Sequence, residues 1–217
     1  MHRGIPLVCA AKGLGVVGDR FSIVILAGGQ SSRLGRHKAS VQFGDGTLLS
    51  CTAHNVASLT DDIVVVSRAD HASIAGDWRV VYDSPPGQGL PAAVAAGLEA
   101  AHHDWSFVIG CDMPFVSTAL VEHLAGLRGG YQAVIPRCAV GLEPLHSFYR
   151  QDVLPSLYDL MLRGERRLSL LEGVIRALTV PEAEWRAIDH EGRSFYNINT
   201  PQDLARAARW IERSPKS

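Results

Sequence analysis

No apolar run in this chain approaches the ~20 residues that a membrane-crossing helix needs, so a transmembrane segment is not expected. Charge of one sign is also missing. The net charge is −1, which removes any global electrostatic case for nucleic acid or an anionic membrane and leaves anion binding to local patches. Cysteine is scarce: Cys9, Cys51, Cys111 and Cys138, with no C-x-x-C pair. In 217 residues that is no disulfide framework, and a reducing, cytoplasmic setting fits it. The nine histidines are scattered, without an H-E-x-x-H or a Cys/His cluster, so a zinc site is not expected. The sequence offers no Ser-His-Asp or Cys-His set for covalent catalysis. The stretch Met1–Arg20 lacks an unbroken apolar run, being interrupted by Pro6 and Lys12, and so does not read as an export signal. Residues 1–20 are expected to be a loose extension and residues 21–217 a single domain.

What is present is a regular alternation. "SIVILA", "DIVVVS", "WRVVYD", "SFVIGCD" and "QAVIPR" are short, β-branched and nearly continuous, as strands covered on both faces are. Between them lie helical patterns. "LPAAVAAGLEAAH" carries Pro91 in its first turn, and "STALVEHLAGL" has Ser117 as its N-cap. Beyond Arg137, "EPLHSFYR" and "IRALTV" are shorter strand candidates, and "QDVLPSLYDLML" and "GERRLSLLEG" are helical. "NTPQDLARAARWIER" closes the chain as a helix capped by Thr200, with Pro201 at the first position and Asp203 at the third. The pattern predicts a three-layer α/β/α sandwich on a mainly parallel, mixed sheet. In such sheets ligands gather beyond the carboxyl ends of the strands. Loops of chemical interest follow Leu26, Tyr82 and Cys111, and the "NIN" segment precedes the last helix.

The first of these loops holds most of the chemistry. After Leu26 come two glycines, small polar residues, and then Arg33, Arg36 and Lys38. Glycines let amides face an anion, and the cations add charge, so the stretch reads as a phosphate cradle or as a solvated basic turn. A Walker A loop fails in register, because Arg36 and His37 follow Gly35. "GQGLPA", Gly87–Ala92, does match G-x-G-x-x-A, with Asp112 in place for a ribose. Against it, "SPPG" makes the turn before it long and stiff. Asp112 ends an apolar run. It either caps the next turn or binds a hard cation beside phosphates.

A third cradle matches. "LAGGQSSRLGRHK" resembles the signature L-A-G-G-x-S-x-R-M-G-x-D-K of nucleotidyltransferases with the nucleotide-diphospho-sugar transferase fold. "DSPPGQGLPAAVAAGL" is similar to that group's D-x-x-x-x-x-G-P-L-A-G segment, and "GCDMPFV" to its metal loop. "GERRL" and "FYNINTPQDLA" resemble the C-terminal half of one branch, the molybdenum cofactor guanylyltransferases, or MobA family. Leu34, His37, "GLPAA" and "SRADH" depart from the usual pattern at positions around the nucleotide.

The resemblance implies a Rossmann-like nucleotidyltransferase fold and transfer of GMP from GTP to the molybdopterin cofactor, with Mg²⁺ as cofactor. The implied partners are GTP, the molybdopterin cofactor and the proteins that make or accept it. It assigns Lys38, Arg33 and Asp112 to catalysis, with Asp112 on the metal. It assigns Leu26, Ala27, Gly28, Gly29, Lys38, Asp83 and Asp112 to the nucleotide, and Arg166, Arg167, Asn197 and Asn199 to the acceptor. His146 reads as a packed strand histidine and Cys111 as a small buried side chain. The alternatives are a related cytidylyltransferase or another acceptor, an NAD-dependent oxidoreductase built on "GQGLPA", and a non-catalytic nucleotide- or cofactor-binding protein.

Overall fold

The computed structural model describes residues 20–28, 30–31, 36–68, 76–83 and 89–213. The loose extension expected over residues 1–20 lies outside these, apart from Arg20. Eight strands form the main sheet: β1 (Ser22–Leu26), β2 (Ile63–Ser67), β3 (Arg79–Tyr82), β4 (Trp105–Gly110), β5 (Ala133–Cys138), β6 (Gly141–Leu142), β7 (His146–Arg150) and β8 (Ala177–Val180). β1 lies between β2 and β4, parallel to both, and β3 adds parallel to β2. Beyond β4 the direction changes. β7 pairs antiparallel with β4 and with β5, and β8 runs parallel to β5. All five expected strands form, and both shorter candidates join the same sheet.

Alternation along the strands builds the three layers. Ile23, Ile25, Val65, Phe107, Ile109 and Val134 point to one face, under α1 (Leu48–Val56), α3 (Thr118–Gly126) and α5 (Glu182–Trp185). Val24, Leu26, Val64, Val66, Val108 and Ile135 point to the other, under α2 (Leu90–Ala100) and α4 (Leu154–Leu162). Covering on both faces is why the strands read as continuous apolar runs. A smaller cluster of Val41, Phe43, Leu48, Ile198 and Ala207 seats α6 (Pro201–Arg213) and the segment before it beside the start of α1.

Helix starts follow the expected chemistry. Ser117 Oγ accepts from Leu120 N at 3.3 Å, and Thr200 Oγ1 accepts from Asp203 N at 3.1 Å. "GERRLSLLEG" differs from expectation. Its helix is 3₁₀ and spans Leu168–Gly173, so Arg166 and Arg167 precede it, Arg167 with extended backbone. Leu168 and Leu171 are buried there, a spacing of three that eclipses side chains in a 3₁₀ turn. No helix among the described residues is long and apolar enough to cross a membrane.

At the amino ends of the strands, the buried Asp62 carboxylate accepts from Ser22 Oγ at 2.6 Å, Arg79 Nη2 at 2.6 Å and His102 N at 2.9 Å. Burial pushes its pKa up, but these bonds outweigh burial and hold it below the ordinary value. One charge thus ties together β1, β2, β3 and the turn into β4, at the end of the sheet away from the strand-end loops.

Candidate functional site

Parallel pairing brings the strand-end loops together. Ala27 N donates to Val66 O at 2.8 Å, Cys111 N to Leu26 O at 3.1 Å, and Asp83 N to Ser67 O at 3.1 Å. The residues after β1, β2, β3 and β4 therefore share one edge. Gly28 there has ordinary backbone, and a Cβ on it would meet Arg68 Cγ at 3.4 Å, a normal contact.

Lys38 Nζ donates to Asp112 Oδ2 at 2.6 Å and also to Asn199 Oδ1. Three segments far apart in sequence thus meet at one ammonium. Lys38 opens a 3₁₀ turn, Lys38–Ser40, whose Ala39 is buried, and so is held by packing. Asp112 is anchored through its neighbours. Thr52 Oγ1 donates to Cys111 O at 3.1 Å, and Ile198 N donates to Asp112 O at 2.9 Å. A Cβ on Gly110 would stand 2.5 Å from Asp112 Oδ1, so only glycine lets the carboxylate fold back over the strand end. The signal for this lies in the sequence, in the glycine two places before the acid. Asp112 is almost buried, and the pair costs desolvation that its close geometry offsets.

Asp83 follows β3, and its Oδ1 is buried without a hydrogen-bond partner among the described residues. Such an oxygen is costly to leave unpaired and suits a ligand hydroxyl or cation. Arg166 lies against the amino end of α2. Gly89, the residue before that helix, has φ +88°, and a Cβ on it would fall 2.9 Å from Arg166 Cβ. This close approach was not legible in the sequence. Arg166 and Arg167 are exposed. Asn197 is tied within its own segment, its Nδ2 donating to Phe195 O at 3.3 Å. Gly29 and Arg33 lie outside the described residues, as does Gly87 of the dinucleotide-like pattern.

Cys111 is buried, and burial followed by the Asp112 charge pushes its thiol well above the ordinary range, which removes it as a nucleophile. His146 is fully buried between the rings of Phe107 and Phe195, at centroid distances of 5.0 and 4.7 Å. Burial pushes its pKa down to about 3. It is a packed residue, as its place in the strand implies. A cavity of about 450 Å³ at the start of α3 is lined by Asn55, Phe115 and Arg193 among others, and contains none of Lys38, Asp83, Asp112 and Asn199. The convergent charges, rather than that cavity, mark the candidate site.

As for metal, no group of three His, Cys, Asp or Glu side chains among the described residues could cage an ion. A single nearly buried carboxylate fits Mg²⁺, which is commonly held by one or two carboxylates together with substrate phosphates and water.

A family model of the MobA-like NTP transferase domain matches residues 23–180. The chain is 33% identical over 193 residues to a molybdenum cofactor guanylyltransferase of Pseudomonas putida, covering 84% of this chain and 95% of that one. Among solved structures it is similar to molybdopterin-guanine dinucleotide biosynthesis protein A from Archaeoglobus fulgidus, with 29% identity and a TM-score of 0.78, over 88% of this chain and 99% of that one. It shares the fold of 2-C-methyl-D-erythritol 4-phosphate cytidylyltransferase from Thermus thermophilus, with 21% identity and a TM-score of 0.65, over 89% and 99% of the two chains.

Proposed function

The chain belongs to the MobA-like NTP transferase family, and from that premise we propose that it transfers GMP from GTP to the phosphate of the molybdopterin cofactor, releasing pyrophosphate. The observation that carries this reading is the meeting of Lys38 with Asp112 and Asn199 at the carboxyl ends of β1 and β4. In the reaction an oxygen of the acceptor's terminal phosphate attacks the α-phosphorus of GTP. The new P–O bond forms as the bond to the bridging oxygen breaks, and the electron pair leaves with pyrophosphate. The attacking oxygen is already anionic at neutral pH, so no general base is required.

The work left to the protein is positioning and charge neutralisation. Lys38, Arg33 and the amides around Gly28 and Gly29 take the triphosphate, and the strand ends Leu26–Gly28 face the base. Asp83 takes the nucleoside side, where its buried Oδ1 lacks a partner. Arg166 and Arg167, with Asn197 and Asn199, serve the acceptor. Asp112 would hold Mg²⁺, which when bound supplies positive charge at the α-phosphate and the departing pyrophosphate.

Pyrophosphate release tests the reading, measured with GTP, CTP or ATP and the molybdopterin cofactor as acceptor, with and without Mg²⁺. The expected outcome is Mg²⁺-dependent release with GTP, at a kcat/KM at least ~100-fold above that with CTP, because a site that hydrogen-bonds guanine leaves polar groups unpaired against cytosine. Equal use of GTP and CTP would sink the guanine assignment. NAD binding without GTP binding would sink the transferase assignment.

A further inference from the structure

The segment between the 3₁₀ turn Arg193–Phe195 and α6 is tied to the site from both sides. Ile198 N donates to Asp112 O at 2.9 Å, which lays the segment against the end of β4. Asp203, in the first turn of α6, holds the other side. Its Oδ2 accepts from Asn199 N at 3.1 Å, Thr200 N at 2.8 Å and Thr200 Oγ1 at 2.8 Å. Its Oδ1 accepts from Tyr196 OH at 3.2 Å. A helix cap requires less than this. In a capping box the acid at the third position returns to the amide of the cap residue alone. Here the carboxylate reaches one residue further back, to Asn199 itself, and across to Tyr196.

We infer that Asp203 is a positioning residue of the transfer site, holding the Asn199 amide so that the Asn199 carboxamide oxygen stands against Lys38 and sets that ammonium beside Asp112. This rests on the reading above that Lys38 serves the triphosphate. The anchors at Ile198 and Asn199 fall on consecutive amides, so the backbone at Asn199 is fixed and its side chain has little left to search. A neutral amide oxygen also suits the task. It directs the ammonium without adding a second negative charge to that of Asp112. Nothing in the helix-forming pattern of α6 requires the bond to Asn199, and removing it leaves the cap hydroxyl of Thr200 in place.

Two measurements on the full chain test this. In the nucleotide-free protein, Lys38 is labelled with trinitrobenzenesulfonate and its modification rate followed by peptide mass spectrometry. Asp203→Ala and Asn199→Ala are each expected to raise the Lys38 rate about fivefold, the equivalent of one lost hydrogen bond. The double variant should rise no further than the larger single, as coupled residues do. Thr200→Ala removes the hydroxyl cap but keeps the bond to Asn199 N. It should lower Tm much as Asp203→Ala does while Lys38 keeps its parental rate. Asp203→Asn, which retains an acceptor oxygen, should restore most of the protection. A parental Lys38 rate in Asp203→Ala, or an equal rise in Thr200→Ala, overturns the inference. With GTP and the molybdopterin cofactor, Asp203→Ala should lower kcat/KM about tenfold, again without adding to Asn199→Ala. If the parent releases no pyrophosphate while the labelling pattern holds, the functional reading falls and the positioning of Lys38 stands. If the parent turns over and Asp203→Ala matches it, the positioning role falls alone.

Discussion

Asp112 and Lys38 neutralise one another across 2.6 Å, and Asn199 holds the ammonium from the side. Under the proposed function, Asp112 acts mainly through the metal it would hold. Asp112→Ala should therefore cost roughly a thousandfold in kcat, which corresponds to about 4 kcal/mol of metal stabilisation at the α-phosphate. It should also abolish Mg²⁺ dependence while Tm moves by only a few degrees. Near-parental turnover of this variant in excess Mg²⁺ would reject the metal role. Gly28 poses the opposite case. Its added methyl would meet the Arg68 stem at an ordinary 3.4 Å, and its backbone is not left-handed, so Gly28→Ala should leave Tm unchanged. Any effect then falls on the ligand. The expected change is a smaller GTP-over-CTP preference, chiefly through a lower kcat/KM for GTP. Steady-state kinetics with both nucleotides decide it.

At the scale of elements, α2 lies close against the sheet at Gly97. A Cβ on Gly97 would lie 2.3 Å from Val24 Cγ1 and 3.1 Å from Val66 Cγ2, both on fully packed strand faces. Alanine in a helix interior ordinarily gains about 1 kcal/mol over glycine. Overpacking a closed core costs about 1–3 kcal/mol. At 2.3 Å against immovable valines the second effect wins. Gly97→Ala is thus expected to destabilise, by up to about 2 kcal/mol, the difference of those two terms at the upper end of the overpacking range. Combining it with Val24→Ala should cost less than the two singles together, because each variant makes room for the other. Chemical denaturation measures both, and strict additivity would show that the contact is not the cause. A similar close approach at Gly89 lets the Arg166 backbone lie against the start of α2.

At the scale of the whole molecule, two buried groups with lowered folded pKa values, His146 and Asp62, contribute to the response to acid. His146 has a folded pKa of about 3 against an ordinary 6.5, with burial as the cause and the nearby Asp189 charge opposing it weakly. A lowered pKa means that the unfolded chain binds the proton first. Its contribution is therefore full above pH 6.5 and is lost progressively as pH falls from there toward 3, at up to ~1.4 kcal/mol per pH unit. Asp62, whose folded pKa lies below its ordinary 3.8, adds stability above that value and loses it as pH falls through its folded pKa. The two windows adjoin, so stability should decline steadily from neutrality to strong acid. His146→Leu should remove the upper part, saving about 2 kcal/mol at pH 5 relative to pH 7.5. Urea titrations of parent and variant at the two pH values check it. An unchanged pH slope would show that His146 is not the group responsible.

The strands were legible because burial on both faces writes itself as continuous β-branched runs, and the helix starts because Ser117 and Thr200 cap locally. The strand-end acids Asp83 and Asp112 were legible because a charge that closes an apolar run must serve a turn or a ligand, and Lys38 because it stands in a glycine-rich loop with other cations. The sequence by itself thus determined the layers, their order and the chemical kinds of residue at one edge of the sheet. The tertiary structure decided which of those residues meet. Asn199 bonds Lys38, whereas the Asn197 carboxamide nitrogen bonds Phe195 O, a difference set by the local path of the chain between Phe195 and α6. Arg166 sits by α2, ahead of the 3₁₀ turn that takes up Leu168–Gly173. Asp203 reads in sequence as a helix cap, and only the fold extends it to Asn199 and Tyr196. Local periodicity encodes what an element buries, while contacts across 74 or 161 positions, as between Lys38 and Asp112 or Asn199, depend on where packing places whole elements.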